Sequence, residues 1–93
     1  MEETHITNAL VKYRKRMNFS QKQVAALLGF RNTAILSHYE KGTALPSLKR
    51  AMALEAIYRV PIAFLFPNLN QQIRSEIREK EDRIFKSKQN HKH

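Results

Sequence analysis

Apolar residues in this chain recur at three- and four-residue steps, with no run of strict alternation. That spacing predicts helices throughout. Leu10, Tyr13 and Met17 share a face with Arg14, which predicts a helix over 6–17 capped by Thr7 or Asn8. Lys12, Lys15 and Arg16 fall on its other faces, and Asn18 ends it. Phe19 then points back to the core, placed to staple onto Val24 at the start of the next helix.

The stretch 20–42 reads as two short helices joined by a tight corner. Ser20 and Gln23 have the spacing of a capping box. Val24, Leu27 and Leu28 make the apolar face of the first helix, and Gly29 stops it, because glycine enters the left-handed conformation at little cost. Asn32 or Thr33 caps the second helix, Leu36 and Tyr39 face inward, and Gly42 terminates it. Pro46-Ser47 opens a fourth helix over 48–58, whose many apolar residues (Leu48, Ala51, Met52, Leu54, Ile57 and Tyr58) predict burial on much of its surface. A short fifth helix spans 61–66, begun by Pro61 and stopped by Pro67. From Asn68 the composition changes. Leu69, Ile73, Ile77 and Ile84 form a thin seam on a helix otherwise covered by charge. The polar end, 86–93, predicts no fixed structure. The fold class is therefore all-α: a domain over 1–67 and a charged helical tail over 68–93 with a disordered end.

At 93 residues the chain forms one small domain with a modest core. It has no cysteine, which excludes disulfides and thiolate metal sites and fits a reducing cytoplasm. The longest apolar run, 60–67, is too short to span a bilayer, and the acidic start lacks the layout of a signal peptide. Charge alters the picture more. Lys and Arg number 17 against 8 Asp and Glu, for a net charge of +9 and a pI near 10.3. That balance points to a polyanionic partner. No helix joins a basic face to a clean aliphatic face, which argues against a membrane surface.

These elements in this order resemble the Cro/phage-repressor-like helix-turn-helix family, also called the XRE family. The resemblance covers 6–66. It rests on Leu10 and Arg14, on Ser20-Gln21 with Ala25, Leu28 and Gly29, and on Leu36-Ser37-x-Tyr39-Glu40-Lys41-Gly42. Pro46-Ser47-Leu48, Val60-Pro61 and Leu65-Phe66 complete it. The resemblance implies a five-helix lambda-repressor-like DNA-binding domain. It implies that Arg14 pairs with Glu40 to lock the reading helix, and that Gln21 grips a backbone phosphate. It places Asn32, Thr33, Ala34, Ser37 and His38 toward base edges in the major groove. Three departures stand out. An extra residue lies in the corner 30–32, so the first base-reading position stays open between Asn32 and Thr33. Arg59 replaces a glycine, so the exit of the fourth helix must differ or carry strain. Ala63-Phe64 replaces an acidic pair, which makes the fifth helix more apolar.

The chemistry suits such a face. Asn32 can pair bidentately with adenine, Thr33 and Ser37 can donate or accept, and Ala34 can meet a thymine methyl. His38 can donate to a guanine N7 or a phosphate, while Ile35 fits either the core or a thymine. Lys22, Arg31, Lys41 and Thr43, with Gln21, are the candidate phosphate contacts, and Lys49 and Arg50 are further ones. So small a module usually binds DNA as a dimer on two half-sites. Two surfaces qualify for a homodimer: Ile62, Phe64 and Phe66 of the fifth helix, and the tail seam of Leu69, Ile73, Ile77 and Ile84. The seam could instead fold back over the fifth helix. The expected function is a sequence-specific DNA-binding transcriptional regulator, a repressor by family habit. The alternative is an antitoxin-like or adaptor protein whose tail holds a protein partner. An enzyme is not expected: no His-Glu pair has metalloprotease spacing and no glycine-rich phosphate loop exists. No cofactor or metal is expected either.

Overall fold

The computed structural model describes the backbone of residues 7–92 and side chains from Thr7 to Lys86. Its six helices are α1 (Leu10–Arg16), α2 (Gln21–Leu27), α3 (Ala34–Lys41), α4 (Leu48–Tyr58), α5 (Ile62–Leu65) and α6 (Pro67–Lys92). Nothing else regular occurs among the described residues.

The first four helices end in the same way, with one residue in the left-handed region. Those residues are Asn18 (φ 61°), Gly29 (φ 84°), Gly42 (φ 81°) and Arg59 (φ 62°). After α1, Asn18 N–H donates to Lys15 O and Phe19 N–H to Arg14 O. After α2, Gly29 N–H donates to Ala26 O and Phe30 N–H to Ala25 O. After α3, Gly42 N–H donates to Tyr39 O and Thr43 N–H to His38 O. These are three paired Schellman closures, while α4 ends on the single Arg59 N–H to Glu55 O bond of the simpler left-handed cap. Each closure reverses the chain within two residues, so short helices can stack around a small core. Arg59 does so at the position where glycine was expected, and so carries the strain that the sequence implied.

Leu10, Tyr13, Val24, Leu36, Tyr39, Leu54, Tyr58, Leu65 and Phe66 form the core cluster. Phe19 packs against this cluster, which contains Val24, as a staple would. The Ser20–Gln23 capping box is complete: Gln23 N–H donates to Ser20 Oγ at 3.0 Å, and Ser20 N–H to Gln23 Oε1 at 2.8 Å. Ser47 caps α4 through Arg50 N–H at 3.3 Å.

Several sequence expectations need correction. α1 begins at Leu10, not at residue 6, which lies outside the described residues. Asn8 explains the delay. Its Oδ1 accepts from Leu10 N–H at 3.0 Å, and its Nδ2 donates across to Tyr39 O at 2.9 Å, tying the entry of α1 to the end of α3. Leu27 is 60 % exposed, and Ala25 takes its place on the inner face of α2. α4 is not buried on much of its surface: Leu54 and Tyr58 are buried, but Leu48 and Met52 are 77 % and 62 % exposed. A small domain covers only the side of α4 that faces its core. Pro67 does not stop a helix. The break is at Phe66 (φ −129°, ψ 63°), and Pro67 opens α6, where its missing N–H costs nothing. Helical backbone then continues to Lys92, through the polar end expected to be irregular. Phe66 itself is 6 % exposed and fills the core, so it offers no surface to a second chain.

Candidate nucleic-acid interface

α2 and α3 pack on each other across the corner 28–33, and α3 also rests on α1. Leu36 and Tyr39 turn α3's inner face down. Helical spacing then puts Ala34, Ser37, His38 and Lys41 together on the opposite face. Ala34, His38 and Lys41 are exposed, and Ser37 is half-buried.

The angle of α3 is fixed from below by one carboxylate. Arg14 Nε donates to Glu40 Oε2 at 2.7 Å, and Nη2 donates to Oε1 at 3.3 Å, a two-pronged pair whose side chains are 14 % and 5 % exposed. Gln21 Nε2 donates to the same Oε1 at 2.7 Å. Arg14 Nη1 also reaches Phe19 O at 3.2 Å. Helices α1, α2 and α3 thus meet at Glu40. Beneath them the Tyr58 hydroxyl is buried without a hydrogen-bond partner among the described residues. Its pKa is pushed up to about 12, chiefly by burial and then by the Glu40 charge, with Arg14 opposing.

A second brace holds the corner. Arg50 of α4 donates to Tyr39 Oη at 3.3 Å and lies over the Phe30 ring at 4.7 Å. Phe30 meets Tyr39 edge-on, with ring centroids 6.4 Å apart. At the start of α3, Asn32 Oδ1 accepts from Ala34 N–H at 2.9 Å. Thr33 occupies the cap position by its backbone, but its side chain makes no cap bond.

Residues 10–65 match the family model described as Helix-turn-helix. The chain belongs to this family, the Cro/C1-type or XRE helix-turn-helix proteins. No curated protein and no solved structure matches the chain significantly. The family is one of DNA-binding transcription regulators, and this member is a DNA-binding helix-turn-helix regulator.

Within the helix-turn-helix unit, the sequence-predicted residues fall into distinct settings. Asn32, Ala34 and His38 are exposed, and Thr33 and Ser37 are half-buried. Ile35 is 38 % exposed on the flank of α3. Lys22, Arg31, Lys41 and Thr43 are exposed, whereas Gln21 is half-buried against Glu40. Thr43 Oγ1 is 3.2 Å from His38 O and 3.0 Å from His38 Nδ1. The hydroxyl donates to the His38 carbonyl, so Thr43 ties the His38 side chain to the end of its own helix.

Sequence reasoning missed three parts of this arrangement. Asn8 was legible only as a cap, and nothing local announced its bond to Tyr39 O. Gln21 was expected at a backbone phosphate, and nothing local announced its bond to Glu40. Arg50 was expected only as a further phosphate contact, and its bond to Tyr39 and its place over Phe30 depend on how α4 docks. Among the described residues no cluster of His, Asp and Glu could hold a metal ion, and no helix is long and apolar enough to cross a membrane.

Proposed function

We propose that this regulator reads the major groove with α3, binds as a homodimer on an inverted repeat, and acts as a repressor by occupying its operator. One observation carries the reading. The face of α3 opposite Leu36 and Tyr39 holds short or polar side chains, and three helices clamp that face through Glu40. Asn32, Thr33, Ala34, Ser37 and His38 are the base-reading set, and a rigid mount is what such short side chains need to meet base edges. Lys22, Arg31 and Lys41 contact phosphates, with Thr43 beside them. Gln21 contributes its backbone N–H at the start of α2 and its second amide hydrogen, since the first goes to Glu40.

The charge distribution supports a polyanion on this side. Between Thr7 and Phe66 the acidic residues are Glu40 and Glu55, and both are engaged: Glu40 with Arg14, and Glu55 Oε1 with Ile62 N–H at 2.9 Å. The surrounding Lys and Arg residues therefore face outward with little acidic compensation, as counterion release on DNA requires.

Selection of bound sequences from a random duplex pool tests the reading. An inverted repeat is expected, with specific binding lost in Ser37→Arg and altered in His38→Ala while helical content is unchanged. Wild-type affinity in both variants would remove α3 from the reading role. A second reading, an antitoxin or adaptor protein, draws on the exposed seam of α6. It predicts a stoichiometric second protein held by that helix and no sequence enriched from the pool.

A further inference from the structure

α6 borders the body as far as Ile73, in its second turn, and then leaves it. Leu69 packs against the core, but every residue from Gln71 to Lys86 is exposed. Ile73, Ile77 and Ile84 are 49, 50 and 53 % exposed. A charge-covered helix with so thin a seam gains little stability in water without a neighbour to cover it. Ile73, Arg74, Ile77, Arg78 and Glu81 border one shallow groove, which places the seam and one of its charged flanks on a single face.

The flanking charges say what fits there. The seam has heptad spacing, with Ile77 and Ile84 at a, and Ile73 and Lys80 at d. The e positions are then Arg74 and Glu81, and the g positions are Glu76 and Arg83. A parallel pair of these helices sets g against the following e of the other copy, so Glu76 would meet Glu81, like against like. An antiparallel pair sets e against e and g against g. In the register where Ile73 faces Ile84, Ile77 faces Lys80. Arg74 then meets Glu81 and Glu76 meets Arg83, and each pair occurs twice by the two-fold axis. One register therefore satisfies the seam and both flanks together. The single polar core residue, Lys80, packs its alkyl stem on Ile77 and fixes that register, as one polar core position does in coiled coils.

We propose that two copies of this chain pair through α6 as an antiparallel coiled coil in that register. The inference rests on the homodimer of the preceding section and specifies its surface. It assigns Phe64 and Ile62 no part, and Phe66 is already excluded by burial. α6 suits the approach of two basic chains because its charges nearly cancel. From Gln71 to Lys86 the acids Glu76, Glu79, Glu81 and Asp82 face the cations Arg74, Arg78, Lys80, Arg83 and Lys86.

Sedimentation equilibrium of the full chain without DNA tests the pairing. The wild type is a dimer at tens of micromolar, a range reasonable for so small an interface, and Ile77→Asp is a monomer with its helical body intact. Glu81→Lys turns two attractive pairs repulsive and raises the dimer dissociation constant by about tenfold to thirtyfold. Arg74→Glu combined with Glu81→Lys restores it. A parallel pair predicts the opposite sign for Glu81→Lys, since the introduced lysine would face Glu76. A monomeric wild type overturns the proposal, as do a dimeric Ile77→Asp and a tightened Glu81→Lys; a monomer that pairs only with a foreign protein points to the adaptor reading. DNA selection separates the two conclusions. An inverted repeat bound by a protein that dimerises without α6 leaves the DNA reading standing alone. An α6 dimer that enriches no sequence leaves the pairing standing alone.

Discussion

Replacing Glu40 by Gln removes one charge from the point where three helices meet, and its cost can be worked from the geometry. The wild-type carboxylate accepts two bonds from Arg14 and one from Gln21, and only 5 % of its side chain is exposed. Removing one partner of a buried ion pair costs about 3–5 kcal/mol, because the other charge is left without compensation. Two features lower that figure here. Arg14 keeps its bond to Phe19 O and is 14 % exposed, and the new amide oxygen can still accept one bond. A loss of about 2–3 kcal/mol follows. The helical body has about 60 residues, for which total stability is about 3–9 kcal/mol. The variant should therefore melt about 10–20 °C below the wild type. Urea unfolding followed by circular dichroism gives the free energy, with an unchanged slope showing that the same surface is exposed. Arg14→Met and Glu40→Met, singly and together, complete a cycle. The double variant should be more stable than either single one, because it leaves no orphaned charge. If Glu40→Gln lies within about 0.5 kcal/mol of wild type, the level of an ordinary surface change, the idea that this carboxylate fixes α3 is wrong.

Two further outcomes follow from strained or unsatisfied groups. Arg59→Gly should stabilise the chain by about 0.5–1 kcal/mol, since glycine takes the left-handed backbone of the α4 exit without a Cβ penalty; a loss of stability in urea unfolding would mean that the arginine side chain contributes more than its backbone costs. Tyr58→Phe should be neutral or stabilising by about 1 kcal/mol at pH 7, because it deletes a buried hydroxyl that lacks a partner among the described residues. The same residue governs alkaline stability. Its folded pKa of about 12 lies above the ordinary 10.0, so its contribution is complete below pH 10 and is lost as pH rises toward 12. That loss amounts to at most about 2–3 kcal/mol, and Tyr58→Phe should flatten the wild-type decline between pH 10 and 12. An identical decline in both proteins would assign the alkaline transition to other groups.

Local sequence determined most of the elements. Helical periodicity, the Ser20–Gln23 box, Ser47 before α4 and glycines at 29 and 42 act over a few residues, and each produced the cap or stop it implied. The order of those elements, with Arg14 and Glu40 at their family positions, was enough to indicate the helix-turn-helix unit, and the pair forms across the 26 residues that separate them. Tertiary structure decided which side of each amphipathic stretch became core. Leu27, Leu48 and Met52 are as apolar as their buried neighbours, and a domain this small has no second layer to cover them. It also decided the partners of long polar side chains. Gln21, Arg50 and Asn8 could each have faced solvent, and only the docking of α1 and α4 on α3 brought Glu40, Tyr39 and Phe30 within their reach. Phe66 and Ile73 look alike in sequence, yet one fills the core and the other lies exposed on α6, because the chain bends at Phe66 and then leaves the body. Hydrogen bonds within a turn are written in neighbouring residues, whereas burial depends on what the rest of the chain places overhead.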